Sequence, residues 1–257
     1  MMQMDHAATA PRRLLITGAS RGIGRAAALI AAAQGWPVAV NYRQDRAAAD
    51  AVVAAIAAQS GQSVALQADV SDPAQVEPLF DAAEAALGGL DAVIVNAGIV
   101  APVMKLAQMD DARLDRMVRV NVLGSLYCAR EAARRLPRPK DQPPAAILLM
   151  SSASARLGSP GEFVDYAATK GAIDTLTLGL ARELGSENIR VNAIRPGLID
   201  TDMQADSGIP DRAFRMAGNI PMGRPGTADE VARAAIWLVS DAARYVSGAI
   251  LDVSGGR

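Results

Sequence analysis

An α/β fold, built as a doubly wound parallel sheet of about seven strands with helices on both faces, is predicted by three features of this 257-residue sequence. Short continuous apolar runs of strand length recur along the chain. Helical periodicities separate them, and the first run turns through three glycines straight into a helix. Strands apolar on both faces belong to a parallel sheet covered on both sides, and ligands of such sheets gather at the carboxyl ends of the strands.

The first strand is Leu14-Leu15-Ile16, and Thr17-Gly18-Ala19-Ser20-Arg21-Gly22-Ile23-Gly24 turns it into a helix. Glycine at Gly18, Gly22 and Gly24 removes the Cβ atoms that would hold the backbone away from a ligand. The helix start adds unpaired N–H groups and the positive end of its dipole, so a dinucleotide pyrophosphate fits there, as in a Rossmann-type fold. Ile23, Ala26, Ala27, Ile30 and Ala31 keep helical spacing until Gly35 and Pro37 stop it, and a strand follows over 38–42. Ala49, Val52, Val53 and Ile56 mark the next helix, closed by Gly61, before a strand over 64–70. Ser71-Asp72-Pro73 caps a third helix with Val76, Leu79, Phe80, Ala83 and Leu87 on one face. Gly88-Gly89 ends it before a strand over 91–95.

Asn96-Ala97-Gly98 follows that strand, and the pattern predicts one helical region over 110–136, ended by Pro137. An apolar strand over 146–150, a helix over 165–184 and a strand over 189–194 come next. An irregular stretch over 196–226 leads to a helix opened by the capping box Thr227-Ala228-Asp229-Glu230. The last strand, 249–253, is apolar and reads as a sheet edge that needs cover.

Composition narrows the function. A net charge of -1 and a pI of about 5.9, with no basic run beyond short Arg pairs, leave no electrostatic footprint for nucleic acid. The single cysteine, Cys128, permits no internal disulfide and suits a reducing cytoplasm. Residues 1–12 read as a loose tail without a secretory signal, and 13–257 as one domain. The uncharged stretch 26–42 is broken by Gln34, Gly35 and Pro37, so it reads as helix, turn and strand in place of a membrane span. The only histidine, His6, lies in the tail, which removes histidine triads and His-based metal sites; no metal is expected.

Tyr166 and Lys170 stand four apart on a predicted helix, so their side chains start about 5–6 Å from each other. An ammonium about 4 Å from a phenolate at an effective dielectric of about 20 is worth about 4 kcal/mol, roughly three pKa units before desolvation opposes it. On that basis Tyr166 exchanges a proton with a substrate oxygen near neutral pH.

With the glycine turn, Asn96-Ala97-Gly98, Asn121, Tyr166-Ala167-Ala168-Thr169-Lys170, Arg195-Pro196-Gly197 and Thr201 in this order, the chain resembles the short-chain dehydrogenase/reductase family over about residues 12–257. The resemblance implies hydride transfer between the nicotinamide of NAD(P) and a carbonyl or alcohol carbon of a small molecule. Tyr166 would be the acid or base, and Lys170 would lower its pKa and hold the nicotinamide ribose. Ser152 would bind the substrate oxygen, and Asn121 would hold a water behind Lys170. Gly18, Ser20, Arg21, Gly22, Ile23 and Gly24 would take the pyrophosphate side, and Asp69 and Val70 the adenine. Asn96, Ala97 and Gly98 would line the cofactor, with Pro196, Gly197, Ile199 and Thr201 toward the carboxamide. The family also implies a homotetramer.

Two departures stand out. Val95 replaces a frequent asparagine, and the position thirteen before the tyrosine is Ala153. An insertion among residues 162–165 makes Ser152 the expected active-site serine, with Ser154 and Ser151 as lesser candidates. An acyl-chain carbonyl and a sugar or polyol are both open as substrates, and a non-catalytic dinucleotide sensor is the alternative that the intact Tyr166 and Lys170 speak against. Residues 198–223, with Met203, Ile209, Phe214, Met216, Ile220 and Met222, are expected to close over the substrate. At the end of the second strand stand Asn41, Tyr42 and Arg43, where an NAD site places a carboxylate. Arg43 and Arg21 suit a 2′-phosphate, which favours NADP(H) with NAD(H) also usable, and nearby Asp45 blunts the preference.

Overall fold

The computed structural model describes residues 11–257. Nine strands are present among them: β1 (Leu14–Ile16), β2 (Val38–Tyr42), β3 (Ser63–Gln67), β4 (Ala92–Val95), β5 (Ala145–Met150), β6 (Ile189–Pro196), β7 (Ile199–Asp200), β8 (Gly226–Thr227) and β9 (Ile250–Val253). Between them lie α1 (Gly22–Ala33), α2 (Arg46–Ala57), α3 (Pro73–Leu87), α4 (Asp111–Val118), α5 (Gly124–Arg135), α6 (Ser154–Leu157), α7 (Val164–Glu183), α8 (Met203–Asp206), α9 (Arg212–Arg215) and α10 (Ala228–Val239). Seven strands pair in parallel in the order β3-β2-β1-β4-β5-β6-β9, and β7 with β8 forms a separate short ladder.

The order reverses between β1 and β4; Leu14 of β1 lies in register with Val38 of β2 on one side and with Ala92 of β4 on the other. That reversal opens the crevice where ligands of such sheets bind. Successive side chains alternate faces: Leu14 and Ile16 join Trp36, Ile94 and the faces of α1, α2 and α10 in one core, while Leu15 joins Phe80, Val93, Cys128 and Ile173 under α3, α5 and α7 in the other. The alanine stripe of α1, from Ala27 through Ala28 to Ala31, is fully buried, and its small side chains let α1 lie close to the sheet. Asp72 caps α3 by accepting from the Ala74 amide, Gly88 ends that helix in the left-handed region at φ 76°, and the Thr227–Glu230 capping box is formed.

Five local readings change. Arg12 does not belong to a loose tail: it is buried, donates to the Pro144 carbonyl at 3.0 Å and pairs with Asp241, so the chain is anchored before β1. The remaining expected tail, with His6, lies outside the described residues. The third strand stops at Gln67 because Asp69 Oδ1 accepts from both the amide and the hydroxyl of Ser71, bending the chain toward α3. The helix over 110–136 is interrupted by a π-helical turn, Arg119–Leu123, and Ser154 lies in the short α6 instead of a loop. The irregular stretch contains β7, α8, α9 and β8.

Candidate active site

A cleft of about 470 Å³ lies over the carboxyl ends of the strands at the crevice, within the usual size range of small-molecule sites. Gly18, Ser20, Arg21, Gly22, Ile23, Asn41, Tyr42, Arg43, Asp69, Val70, Asn96, Ala97, Gly98, Ser152, Tyr166, Lys170, Pro196, Gly197, Ile199 and Thr201 all line it. Gly24 and Asn121 stand behind its wall. A Cβ on Gly24 would come within 2.6 Å of the Gly18 carbonyl oxygen and 2.7 Å of Asn96 Nδ2, so glycine here lets α1 begin directly beneath the turn. Gly18 and Gly22 adopt φ of 62° and 56°, a conformation that favours glycine.

The turn is braced by side chains. Asn96 Nδ2 donates to the carbonyls of Thr17 and Gly18, and Thr17 Oγ1 accepts from the amides of Asn96 and Ala97. Asn41 accepts from the Gly18 amide and donates to the carbonyls of Leu66 and Ala68, so its buried amide ties three strands instead of reaching for a ribose. Arg43 is exposed, with Nη1 3.9 Å from Asp69 Oδ2, and Arg21 pairs with Asp206 of α8 at 2.6 Å. The Asp45 carboxylate caps α2 by accepting from the Ala48 amide. These features fit a dinucleotide: a crevice that Cβ atoms would fill, helix N–H groups at the start of α1, and two exposed guanidinium groups, Arg21 at that helix start and Arg43 just past the end of β2.

At the opposite end Lys170 is buried and Nζ donates to the Met150 carbonyl at 2.7 Å, lying 5.5 Å from the centroid of the Tyr166 ring. Burial lowers the Lys170 pKa to about 8, opposed by the charge of Asp174. Burial also raises the Tyr166 pKa, and a hydrogen bond with Ser152 works against that rise. The expected depression by Lys170 is therefore absent here, because the ammonium is turned to a carbonyl and desolvation dominates both groups. Ser151 is turned away, donating to Asp174 Oδ1 at 2.6 Å, while Arg195 holds the other oxygen of that carboxylate. Ser154 accepts from the Ser159 hydroxyl, and its amide donates to Ser152 Oγ. Of the three serines, Ser152 is the one that meets Tyr166.

Asn121 is fully buried. Its Oδ1 accepts from the Ile99 amide, and its Nδ2 donates to the Ile99 carbonyl and toward Met117 Sδ and Thr169 Oγ1, so the side chain holds the loop after β4. Ser125 Oγ donates to the Asn121 carbonyl, one of the groups loosened by the π turn. A second pocket of about 90 Å³ opens beside Ser152 and Tyr166, bounded by Phe163, Met203, Arg212 and Arg257. In the segment 198–223, Ile220 and Met216 pack with Leu198 and Ala213, Met203 faces both pockets, and Phe214 and Met222 are exposed. Val120, Ile99 and Gln204 also line the main cleft, and no motif in the sequence marks them.

Residues 18–257 match the family model described as enoyl-(acyl carrier protein) reductase. The chain is 47% identical over 243 residues to the uncharacterized oxidoreductase YgfF of Escherichia coli, covering 95% of this chain and 98% of that protein. It is 38% identical to a 3-oxoacyl-(acyl-carrier-protein) reductase, FabG, of Staphylococcus aureus, covering 94% and 96%. Among solved structures, a short chain dehydrogenase from Burkholderia cenocepacia in complex with NADP matches with a TM-score of 0.88 and 34% identity, over 97% of this chain and 98% of that one. A 3-ketoacyl-(acyl-carrier-protein) reductase from Brucella melitensis complexed with NADH matches with a TM-score of 0.88 and 32% identity, over 98% and 99%.

Proposed function

Because the chain belongs to the short-chain dehydrogenase/reductase family and is an NAD(P)-dependent oxidoreductase, we propose that Tyr166 is the group that exchanges a proton with the substrate oxygen. The convergence of Ser152, Tyr166 and Lys170 in the glycine-turn cleft carries this reading. A bound nicotinamide supplies or accepts the hydride. Ser152 holds the oxygen beside the phenol, which places two donors where an alkoxide develops. Lys170 presents its ammonium to the nicotinamide ribose and to Tyr166 when it turns from Met150. Asn121 is a positioning residue, fixing the Ile99 backbone and the wall under Gly98. The names of the relatives favour an oxo substrate over a polyol and lend nothing to a non-catalytic sensor. Ser152→Ala is expected to lower kcat far more than Ser154→Ala; the reverse order would move the oxygen-binding role to Ser154.

NADP(H) is the favoured cofactor, with NAD(H) usable. Support comes from the end of β2, where Asp45 is turned into a helix cap and Arg43 is exposed at the cleft. Arg21 reaches a 2′-phosphate on leaving Asp206. The ratio of kcat/KM for NADPH over NADH is expected to exceed one and to fall in both Arg21→Ala and Arg43→Ala. A ratio clearly favouring NADH, or one unmoved by removing both arginines, overturns the assignment.

Residues 13–257 act as one catalytic domain, assembled as a homotetramer in the cytoplasm. The outer edge of β9, with Trp237 and Tyr245 exposed, and the exposed Leu126 and Leu178 on α5 and α7, offer two separate faces for such contacts. None of the described helices is long and apolar enough to cross a membrane.

A further inference from the structure

We infer that the smaller pocket beside Tyr166 is an anion subsite, in which Arg212 and Arg257 hold the carboxylate of a small oxo acid or of its hydroxy counterpart. This rests on the oxidoreductase reading above and names the substrate class of that site. Arg212 and Arg257 line the same space of about 90 Å³ as Ser152 and Tyr166, so a molecule whose oxygen meets the phenol shares that space with both side chains. That space has room for about three water-sized groups, the size of a carboxylate.

Arg212 is held on two sides. One Nη pairs with Glu162, the guanidinium lies 5.0 Å from the centroid of the Phe163 ring, and only 12% of the side chain is exposed. Its Nε is buried and has no hydrogen-bond partner, although a guanidinium N–H left bare in the interior is unfavourable. Arg257 is fixed through its backbone: its carbonyl accepts from Arg156 Nη2 and from Ser254 Oγ, both at 2.8 Å. No carboxylate among the described residues lies within ion-pairing distance of Arg257, and its pKa is lowered by burial and by Arg212, with Glu162 opposing.

In this half-closed pocket Arg212 has Glu162 as its carboxylate partner, and among the described residues Arg257 has none within ion-pairing distance. Burying an excess of one charge is unfavourable unless a counter-ion completes the set. A substrate carboxylate supplies that counter-ion, and the planar fork of arginine binds it through paired donors. A sugar, a polyol or a neutral ketone offers no such charge.

The test uses enzyme saturated with NADP+ and follows binding by calorimetry. The probes are acetoacetate, levulinate and 5-oxohexanoate, each beside its methyl ester, a set that varies the distance from carbonyl to carboxylate. At least one acid is expected to bind about tenfold to a hundredfold more tightly than its ester. In Arg257→Gln that advantage should collapse to near unity, and in Arg257→Lys, which keeps the charge but not the fork, part of it should remain. In turnover assays the same substitutions should act on KM for the acid more than on kcat. Equal binding of acid and ester, an advantage that survives in Arg257→Gln, or binding of no probe overturns the subsite. Charge-selective binding without reduction of any probe by NADPH or NADH would instead overturn the oxidoreductase reading and leave the subsite standing. Reduction of esters as efficiently as acids would overturn the subsite alone.

Discussion

Replacing Tyr166 with phenylalanine is expected to lower kcat by about 10²- to 10⁴-fold, the span associated with loss of a positioned proton donor. Cofactor affinity should change little. The substitution removes one hydroxyl, leaves the ring against which Lys170 packs at 5.5 Å, and leaves the Lys170 bond to Met150 in place. The pH profile carries a second signature. Burial holds the Tyr166 pKa above its ordinary value, so the phenol is in its acid form at neutral pH, ready to protonate a carbonyl oxygen during reduction. Alcohol oxidation requires the phenolate, so its rate should climb as pH rises, and Tyr166→Phe should abolish that rise. Turnover comparable to wild type, with a competent substrate and saturating cofactor, would remove Tyr166 from the proton path.

The largest loss of stability is expected from Arg113→Ala. Arg113 on α4 donates from Nε to Asp165 Oδ2 at 2.8 Å, from Nη2 to Asp165 Oδ1 at 3.3 Å and from Nη1 to the Pro102 carbonyl at 2.6 Å. The Asp165 side chain is only 2% exposed and stands one residue before Tyr166 in the first turn of α7. Removing the guanidinium strands a carboxylate in the interior, which costs about 3–5 kcal/mol. Urea unfolding should show the midpoint fall, and adding Asp165→Asn should recover much of the loss by removing the unpaired charge. A loss below about 1 kcal/mol, the size of an exposed ion pair, would mean that water reaches Asp165 freely.

Arg113 also shows where the sequence stops informing. The sheet, its parallel strands and the glycine turn were legible because each depends on local period or on a residue type with one physical use: apolar runs for two-sided burial, glycine for left-handed turns, Thr227 with Glu230 for a cap. Tyr166 and Lys170 were legible because a helix fixes their spacing. Arg113 and Asp165 meet across 52 positions of chain, and nothing in either neighbourhood marks the pair. Arg12 read as tail because its partners, Pro144 and Asp241, lie on the far side of the sequence. Spacing also placed Lys170 within reach of the tyrosine, but the direction of the Tyr166 shift depended on burial, which period alone does not measure. Asn41 stood at the position of a ribose contact, yet its amide is taken by backbone groups of three strands.

The π turn at Arg119–Leu123 adjusts the phase of a helix. Following the inward positions turn by turn, from Met117 through Asn121, Ser125, Ala129 and Ala132 to Leu136, the run takes about one residue more than a period of 3.6 allows, an excess already present at Ala129 just past the π turn. An uninterrupted α-helix would carry the stripe to Arg135 instead of Leu136 and swing a guanidinium toward the sheet. The inserted residue lets one continuous segment present Asn121 to the loop after β4 at its start and an apolar face to the sheet at its end. Chain length between Val118 and Gly124 is consequently constrained to the residue, even where the side chains there are not. Dropping or adding a single position in that interval would turn everything downstream by about 100° about the helix axis.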